Sequence, residues 1–241
     1  MTTKVGRLHR ILLGNEEVPY LLRRSPRRRT VGLKIDQSGL TVSVPTRTPQ
    51  RAWESILLEK SGWVLDKLEA MRALSVPAFN WCDGEWLPFL GSPIELVVEH
   101  GAPRARPALG DGQLRVALPD PSDTTALETR VVQWYRREAL AFFQHRVALY
   151  ARQLDVSVSQ LGLSGARTRW GSCTSGGSIR LNWRLIKAPP SVIDYVVIHE
   201  LAHLIELNHS PSFWKIVAQL CPDHAVQRAL LKQQAAHYHR F

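Results

Sequence analysis

The 241-residue chain has little cysteine and no long apolar run, and each shortage excludes a class of protein. Its three cysteines, Cys82, Cys173 and Cys221, are odd in number and far apart, so they are not the framework of a disulfide-rich secreted protein. The first residues lack the apolar core of a signal peptide, and no uncharged apolar run reaches the length of a membrane span. The sequence therefore predicts a cytoplasmic protein that does not enter a membrane.

Acidic residues are also scarce, with 21 Asp and Glu against 31 Lys and Arg, which gives a formal net charge of +10. The excess is concentrated in two windows that contain no acid. The first window contains Arg23, Arg24, Arg27, Arg28 and Arg29. The second contains Arg167, Arg169, Arg180, Arg184 and Lys187. Such windows can attract an anionic ligand or nucleic acid. They can equally be solvated surface, and the first window has no interleaved aromatic residues on which bases could stack.

The strongest local pattern is His199-Glu200-Leu201-Ala202-His203, followed six residues later by His209. Residues i and i+4 share one face of a helix, so His199 and His203 can present two imidazole nitrogens to one ion. A catalytic zinc needs three protein ligands and one open position, and His209 can be the third ligand if the chain turns back. Glu200 lies about 100° around the helix, from where its carboxylate can reach a zinc-bound water. We therefore expect one zinc ion per chain, with Glu200 as general base.

The flanks of this pattern decide between a metal site and a chance match. Apolar residues surround the motif on nearly every face of the predicted helix, so the helix is expected to be buried. Buried imidazoles and carboxylates are costly unless they are paired or bound to a metal. The polar exceptions His199, His203 and Glu206 fall at i, i+4 and i+7, which is one stripe. Both features favour the metal site.

The first 120 residues are predicted to form a β-rich domain with one helix. Alternating apolar and polar residues predict short strands over 8–14, 18–24, 27–36 and 39–45. Thr48-Pro49 has the residues of a helix N-cap and first turn, and the helix is predicted to extend to residue 74. No internal repeat is evident in the sequence.

Residues 121–241 are predicted to form the metal-binding catalytic domain, which makes the whole chain α+β. A long helix is expected over 122–154, followed by a β-hairpin with arms at 160–173 and 178–186. The metal helix then follows and is expected to end near Asn208. Ser210-Pro211 starts a new helix at once, which can hold His209 in a tight turn.

The predicted hairpin provides candidate substrate-binding residues. By alternation, Arg169 lies on one face of the first arm, and Arg180, Asn182 and Arg184 share a face of the second. A face that borders the metal could bind a carboxylate, a phosphate or a developing oxyanion. The alternative is that the arginines are ordinary surface residues.

Four segments follow one another in fixed order: Arg169–Cys173, Ile179–Leu185, Tyr195–His203 and Asn208–Trp214. Together they resemble the YgjP-like metallopeptidase family, which is related to the SprT-like zincins. The resemblance implies a zincin-like core in which His199, His203 and His209 bind zinc and Glu200 is the catalytic residue.

Glu206 stands where the metzincin pattern has glycine, so that subgroup is not indicated. Its side chain could orient a ligand histidine from behind, or it could compete as a metal ligand.

The sequence thus favours a zinc-dependent metalloendopeptidase that acts on protein or peptide substrates. One alternative is a metal-dependent hydrolase of nucleotide phosphoanhydrides, although such enzymes more often use Mg²⁺ or Mn²⁺ with oxygen ligands. Another is a nucleic-acid-associated protease of the SprT type, which would dock on phosphates through Arg23, Arg24, Arg27, Arg28 and Arg29.

Overall fold

A four-stranded sheet opens the chain in the computed structural model, which describes residues 7–36, 39–73, 77, 79–102 and 105–241. Its strands are β1 (Arg7–Leu13), β2 (Glu16–Ser25), β3 (Gly32–Asp36) and β4 (Gly39–Pro45). They lie in the order β1-β2-β4-β3, with a parallel β2–β4 pair between two antiparallel pairs. Helices α1 (Gln50–Glu59) and α2 (Ser61–Ala73) follow, and Trp53 and Leu57 share the buried core of the sheet. The helix predicted over 48–74 is therefore interrupted at Lys60, and residue 74 lies outside the described residues.

A second sheet has the same topology as the first. Its strands are β5 (Trp86–Phe89), β6 (Ser92–His100), β7 (Ala108–Gly110) and β8 (Gln113–Leu118). They lie in the order β5-β6-β8-β7, again with one parallel pair between two antiparallel pairs. The architecture therefore repeats where the sequence does not, because strand order is set by pairing between distant segments and not by residue identity.

The chain divides into two units, Met1–Val76 and Pro77–Phe241. The second sheet belongs to the larger unit, because its Leu96 and Leu114 share one buried core with Leu127 of the following helix. The division thus falls at residues 76–77, whereas the sequence predicts it after residue 120.

The long helix predicted over 122–154 is α3 (Thr124–Gln153), which Asp123 caps by accepting a hydrogen bond from the backbone N–H of Ala126. A three-stranded sheet follows, with β9 (Gln160–Ser164), β10 (Gly171–Cys173) and β11 (Ser178–Asn182). β10 and β11 form an antiparallel hairpin, as predicted.

The remaining part of the hairpin prediction differs from the structure. β9 pairs with the other side of β11 and runs parallel to it, so residues 160–173 are not a single arm. β11 ends at Asn182, whose side chain accepts the backbone N–H of Arg184 and caps a 3₁₀ helix over Trp183–Lys187. The alternation of faces predicted through residue 186 therefore stops at residue 182.

Three helices complete the larger unit: α4 (Pro190–Ala202), α5 (Pro211–Leu220) and α6 (His224–Tyr238). α4 is buried on nearly every face, as its apolar sequence predicts. It ends at Ala202, earlier than predicted, and irregular backbone connects it to α5. The predicted α+β class is confirmed. Within the described residues, no helix combines the length and the apolar character needed to cross a membrane.

Candidate metal centre

Three histidines meet at the end of α4. His199 lies in the last turn of the helix, His203 is its C-cap residue, and His209 precedes α5. Ser210 accepts a hydrogen bond from the backbone N–H of Phe213, with Pro211 in the first turn, so α5 begins immediately after His209. As a result, one ligand atom from each of the three histidines lies within 4.8 Å of the others.

The donors and their spacing fit zinc. The Nε2 atoms of His199 and His209 are 3.1 Å apart. Zinc–nitrogen bonds of about 2.0–2.1 Å in tetrahedral geometry place two ligand nitrogens about 3.3 Å apart. Within the described part of the chain the cluster contains imidazoles only, and imidazole nitrogens suit zinc better than magnesium or calcium.

The turn after α4 orients His203. Nδ1 of His203 lies 3.2 Å from the backbone carbonyl oxygen of Glu206. A hydrogen on Nδ1 would donate to that oxygen and leave Nε2 free for a metal. The Glu206 carboxylate instead accepts the backbone N–H of Asn208 at 3.3 Å. Glu206 therefore contacts a candidate ligand through its backbone, while its side chain stabilises the turn that leads to His209.

The electrostatics favour the neutral form of His199 and of His209. Burial, together with the neighbouring His203 and His209, lowers the pKa of His199 to about 3. Burial and His203 also lower the pKa of His209, and the charge of Arg228 adds to both shifts. Neutral imidazole is the form that binds metal. Nδ1 of His199 is buried and has no hydrogen-bond partner among the described residues.

Glu200 is buried beside the histidines, and β10 packs directly against it. A Cβ atom on Gly171 would lie 2.4 Å from Oε1 of Glu200, so any side chain at that position would force the carboxylate to move. Burial raises the pKa of Glu200 to about 7, and the positive charge of Arg169 partly opposes this shift. A carboxylate with such a pKa can accept and return a proton near neutral pH.

The four predicted substrate-binding residues divide into two pairs. Arg169 is exposed in the loop before β10 and acts electrostatically on Glu200, and Arg180 is exposed on β11. Asn182 is fully buried, and its Nδ2 donates to the backbone carbonyls of Ala166 at 2.6 Å and Arg169 at 3.3 Å. Nε of Arg184 donates to the backbone carbonyl of Phe241 at 2.6 Å. The side chains of Asn182 and Arg184 thus form hydrogen bonds to the chain's own backbone. The predicted alternation instead places both residues on the same face as Arg180, where they would contact a substrate.

The arginines of the first basic window also have different surroundings. Arg24 donates to the backbone carbonyls of Thr46 and Thr48, at 2.8 and 3.0 Å, and lies 4.9 Å over the ring of Trp53. It therefore stabilises the first unit. Exposed side chains remain at Arg23, Arg27, Arg28 and Arg29.

Two residues that lie near the histidines are not among the site residues predicted from the sequence. The Trp214 ring lies 5.9 Å from the rings of both His199 and His209, and the Arg228 guanidinium lies 5.6 Å over the Trp214 ring. No fixed spacing connects Arg228 on α6 with the motif on α4. The only available signal is that its i−4 and i+4 neighbours, His224 and Lys232, are not acids with which it could pair.

Clustered imidazoles beside a buried carboxylate, at the end of a buried helix, are typical of metallopeptidases. A comparison with family models agrees, because the model described as "YgjP-like, metallopeptidase domain" matches residues 29–234. The chain therefore belongs to the YgjP-like metallopeptidase family, as the sequence motifs suggest.

Two further comparisons are less informative. The solved structure of the metallopeptidase zymogen abylysin from Pyrococcus abyssi is 19% identical to this chain and has a TM-score of 0.35. The similarity covers 38% of this chain and 93% of abylysin. A comparison with curated proteins gives no significant match.

Proposed function

We propose that the protein is a zinc-dependent metalloendopeptidase, with His199, His203 and His209 as the ligands of one zinc ion and Glu200 as the general base. The observation that carries this proposal is the buried Glu200 carboxylate, which packs against Gly171 and belongs to the residue directly after His199 of the three-histidine cluster. When bound, zinc would act as a Lewis acid that polarises the substrate carbonyl and activates water.

Glu200 would perform the proton transfers. Its carboxylate takes a proton from the attacking water and delivers it to the leaving amine. The pKa of about 7 suits both steps, because neither protonation state is strongly favoured near neutral pH. The exposed guanidinium of Arg169 limits the rise of this pKa and so favours the ionised, proton-accepting form.

The peptide would bind along β10. This strand lies at the edge of the order β10-β11-β9, so one side of its backbone is not paired within the sheet. An extended peptide can add to such an edge as a further strand. Because Gly171 of β10 contacts Glu200, a peptide paired there would pass beside the proposed general base.

Two substitutions test the mechanism. Glu200→Gln should retain zinc and lose at least about 10²-fold in kcat, since it removes the proton acceptor and leaves the imidazoles in place. His203→Ala should lose both zinc and activity, because it removes a ligand. The measurements are zinc content by mass spectrometry and hydrolysis of casein and peptides, with nucleoside triphosphates as the competing substrate class.

Glu128→Gln is the matched control, since Glu128 is exposed on α3. It should behave like the wild type in both assays. Full turnover by Glu200→Gln would contradict the mechanism, and release of phosphate without peptide cleavage would favour the nucleotide hydrolase. Docking on nucleic acid and a cytoplasmic location stay predictions from the sequence.

A further inference from the structure

Arg228 is an exposed residue of α6 that lies close to the candidate metal centre. Its guanidinium carbon is 5.6 Å from the centroid of the Trp214 ring, and that ring is 5.9 Å from the rings of His199 and His209. The two distances limit the separation between the guanidinium and either imidazole to about 11.5 Å. One residue of extended peptide spans about 3.3–3.6 Å. Arg228 is therefore within reach of groups up to about three residues from a bond cleaved at the histidines.

The guanidinium has no acidic partner within the described part of the chain, where neither a salt bridge nor a side-chain hydrogen bond involves Arg228. Its position over the Trp214 ring fixes one face of the cation by a cation–π contact. The N–H groups at the edge of the guanidinium remain available to a ligand. Arg169 supplies a second exposed guanidinium next to Glu200.

We propose that Arg228 binds a carboxylate of the peptide substrate, within three residues of the scissile bond, and that the enzyme consequently prefers acidic peptides. This inference rests on the proposed peptidase function and adds a substrate class to it. A planar guanidinium binds a carboxylate through two parallel N–H···O bonds. The carboxylate can belong to an Asp or Glu side chain or to the C-terminus of the peptide.

Cleavage of matched peptides tests the preference. Each pair differs by Glu against Gln at one position, from three residues before to three residues after the scissile bond, and each peptide is made with a free and an amidated C-terminus. We expect kcat/KM to be about 10- to 100-fold higher for the acidic member at one position, the range for a hydrogen bond to a charged group. If amidation abolishes the preference instead, the recognised group is the terminal carboxylate.

Substitution of the arginine assigns that preference to one residue. Arg228→Gln should abolish the ratio of kcat/KM between the acidic peptides and their neutral partners, mainly through KM. Arg228→Lys should restore part of the preference, since it keeps the charge without the fork of donors. Arg152→Gln on α3 makes the same charge change at an exposed position and should have no effect.

A binding measurement separates failure of this inference from failure of the proposed function. Fluorescence anisotropy measures the Kd of the Glu200→Gln protein for acidic and for neutral peptides, and this measurement needs no turnover. The same measurement is made on the Glu200→Gln protein that also carries Arg228→Gln. An acidic preference that disappears with Arg228→Gln supports the inference. Equal affinities would overturn it even if peptides are cleaved, and an equal loss of kcat for both peptide classes would also overturn it. Absence of cleavage by the wild type would count against the peptidase proposal.

Discussion

At residue scale, the absence of a side chain at Gly171 leaves the space in which the carboxylate of the proposed general base, Glu200, lies. Gly171 begins β10, and the space that its Cβ would fill is occupied by the Glu200 carboxylate. Glu200 is itself only 6% exposed, so its carboxylate cannot shift freely into solvent. A methyl group at residue 171 would therefore displace the carboxylate from its position beside β10.

Gly171→Ala is expected to retain zinc and to lose about 10²-fold in kcat/KM, the size of effect that follows from a misplacement of about 1 Å in a catalytic group. Peptide hydrolysis and zinc content measure the two effects. Gly162→Ala on β9 is the matched control, because the nearest atom to its added Cβ, Cγ of Arg180, is 3.9 Å away. Similar losses in the two variants would show that the sheet, and not the carboxylate, is being perturbed.

At element scale, an ion pair joins the two central helices of the larger unit. Arg146 of α3 binds both carboxylate oxygens of Asp194 on α4, with Nε–Oδ1 at 2.5 Å, and also donates to the hydroxyl of Tyr150. The side chains of Arg146 and Asp194 are only 22% and 15% exposed, so water screens the pair incompletely. The pair orients the helix that carries His199 and Glu200.

Asp194→Asn should lower the free energy of unfolding by about 2–3 kcal/mol, because it leaves a partly buried guanidinium without its counter-charge. Glu138→Gln breaks the more exposed pair between Arg137 and Glu138 and should cost less than about 1 kcal/mol. Urea denaturation of the zinc-loaded proteins measures both. Equal losses would mean that the α3–α4 pair acts as an ordinary surface contact.

Local elements could be predicted from the sequence, and distant pairings could not. The limits of α3 follow from helical periodicity, and the start of α5 follows from the capping residue Ser210. The parallel pairing of β9 with β11 joins segments across the intervening strand β10, and no residue pattern specifies that partner. The same reason explains which residues of the candidate site could be predicted from the sequence. The three histidines are close in sequence, whereas Gly171 and Arg228 reach the site only through tertiary packing.

At the scale of the whole molecule, a buried lysine amine makes the free energy of unfolding depend on pH. Lys187 is fully buried, and its Nζ donates to the backbone carbonyls of Tyr238 at 2.9 Å and Phe241 at 3.3 Å. Burial, with the nearby charges of Arg184 and Arg240, lowers the pKa of Lys187 from 10.5 to about 6. Between these two pKa values the unfolded chain binds a proton that the folded chain excludes. The free energy of unfolding should therefore rise with pH across this range.

Lys187→Met keeps the apolar stem and removes the titrating amine, so it should flatten this dependence. Between pH 7 and pH 10 the slope should fall by up to about 1.4 kcal/mol per pH unit, the value for one proton. Denaturation curves at several pH values measure the slopes. Lys215→Met, at an exposed position of α5, should leave the slope of the wild type unchanged. Parallel slopes for wild type and Lys187→Met would exclude Lys187 as the source.

The three histidines lie within one continuous segment, residues 199–209. Metal binding by these residues and the activity of the site therefore depend on different parts of the fold. Closing so short a loop around an ion costs little chain entropy compared with joining distant segments. Gly171, Arg169 and Arg228 are brought to that segment only by the completed fold. If the three histidines bind zinc as proposed, zinc retention reports on this local segment, and a variant that is fully loaded with metal can still have lost the arrangement proposed to select and cleave a peptide.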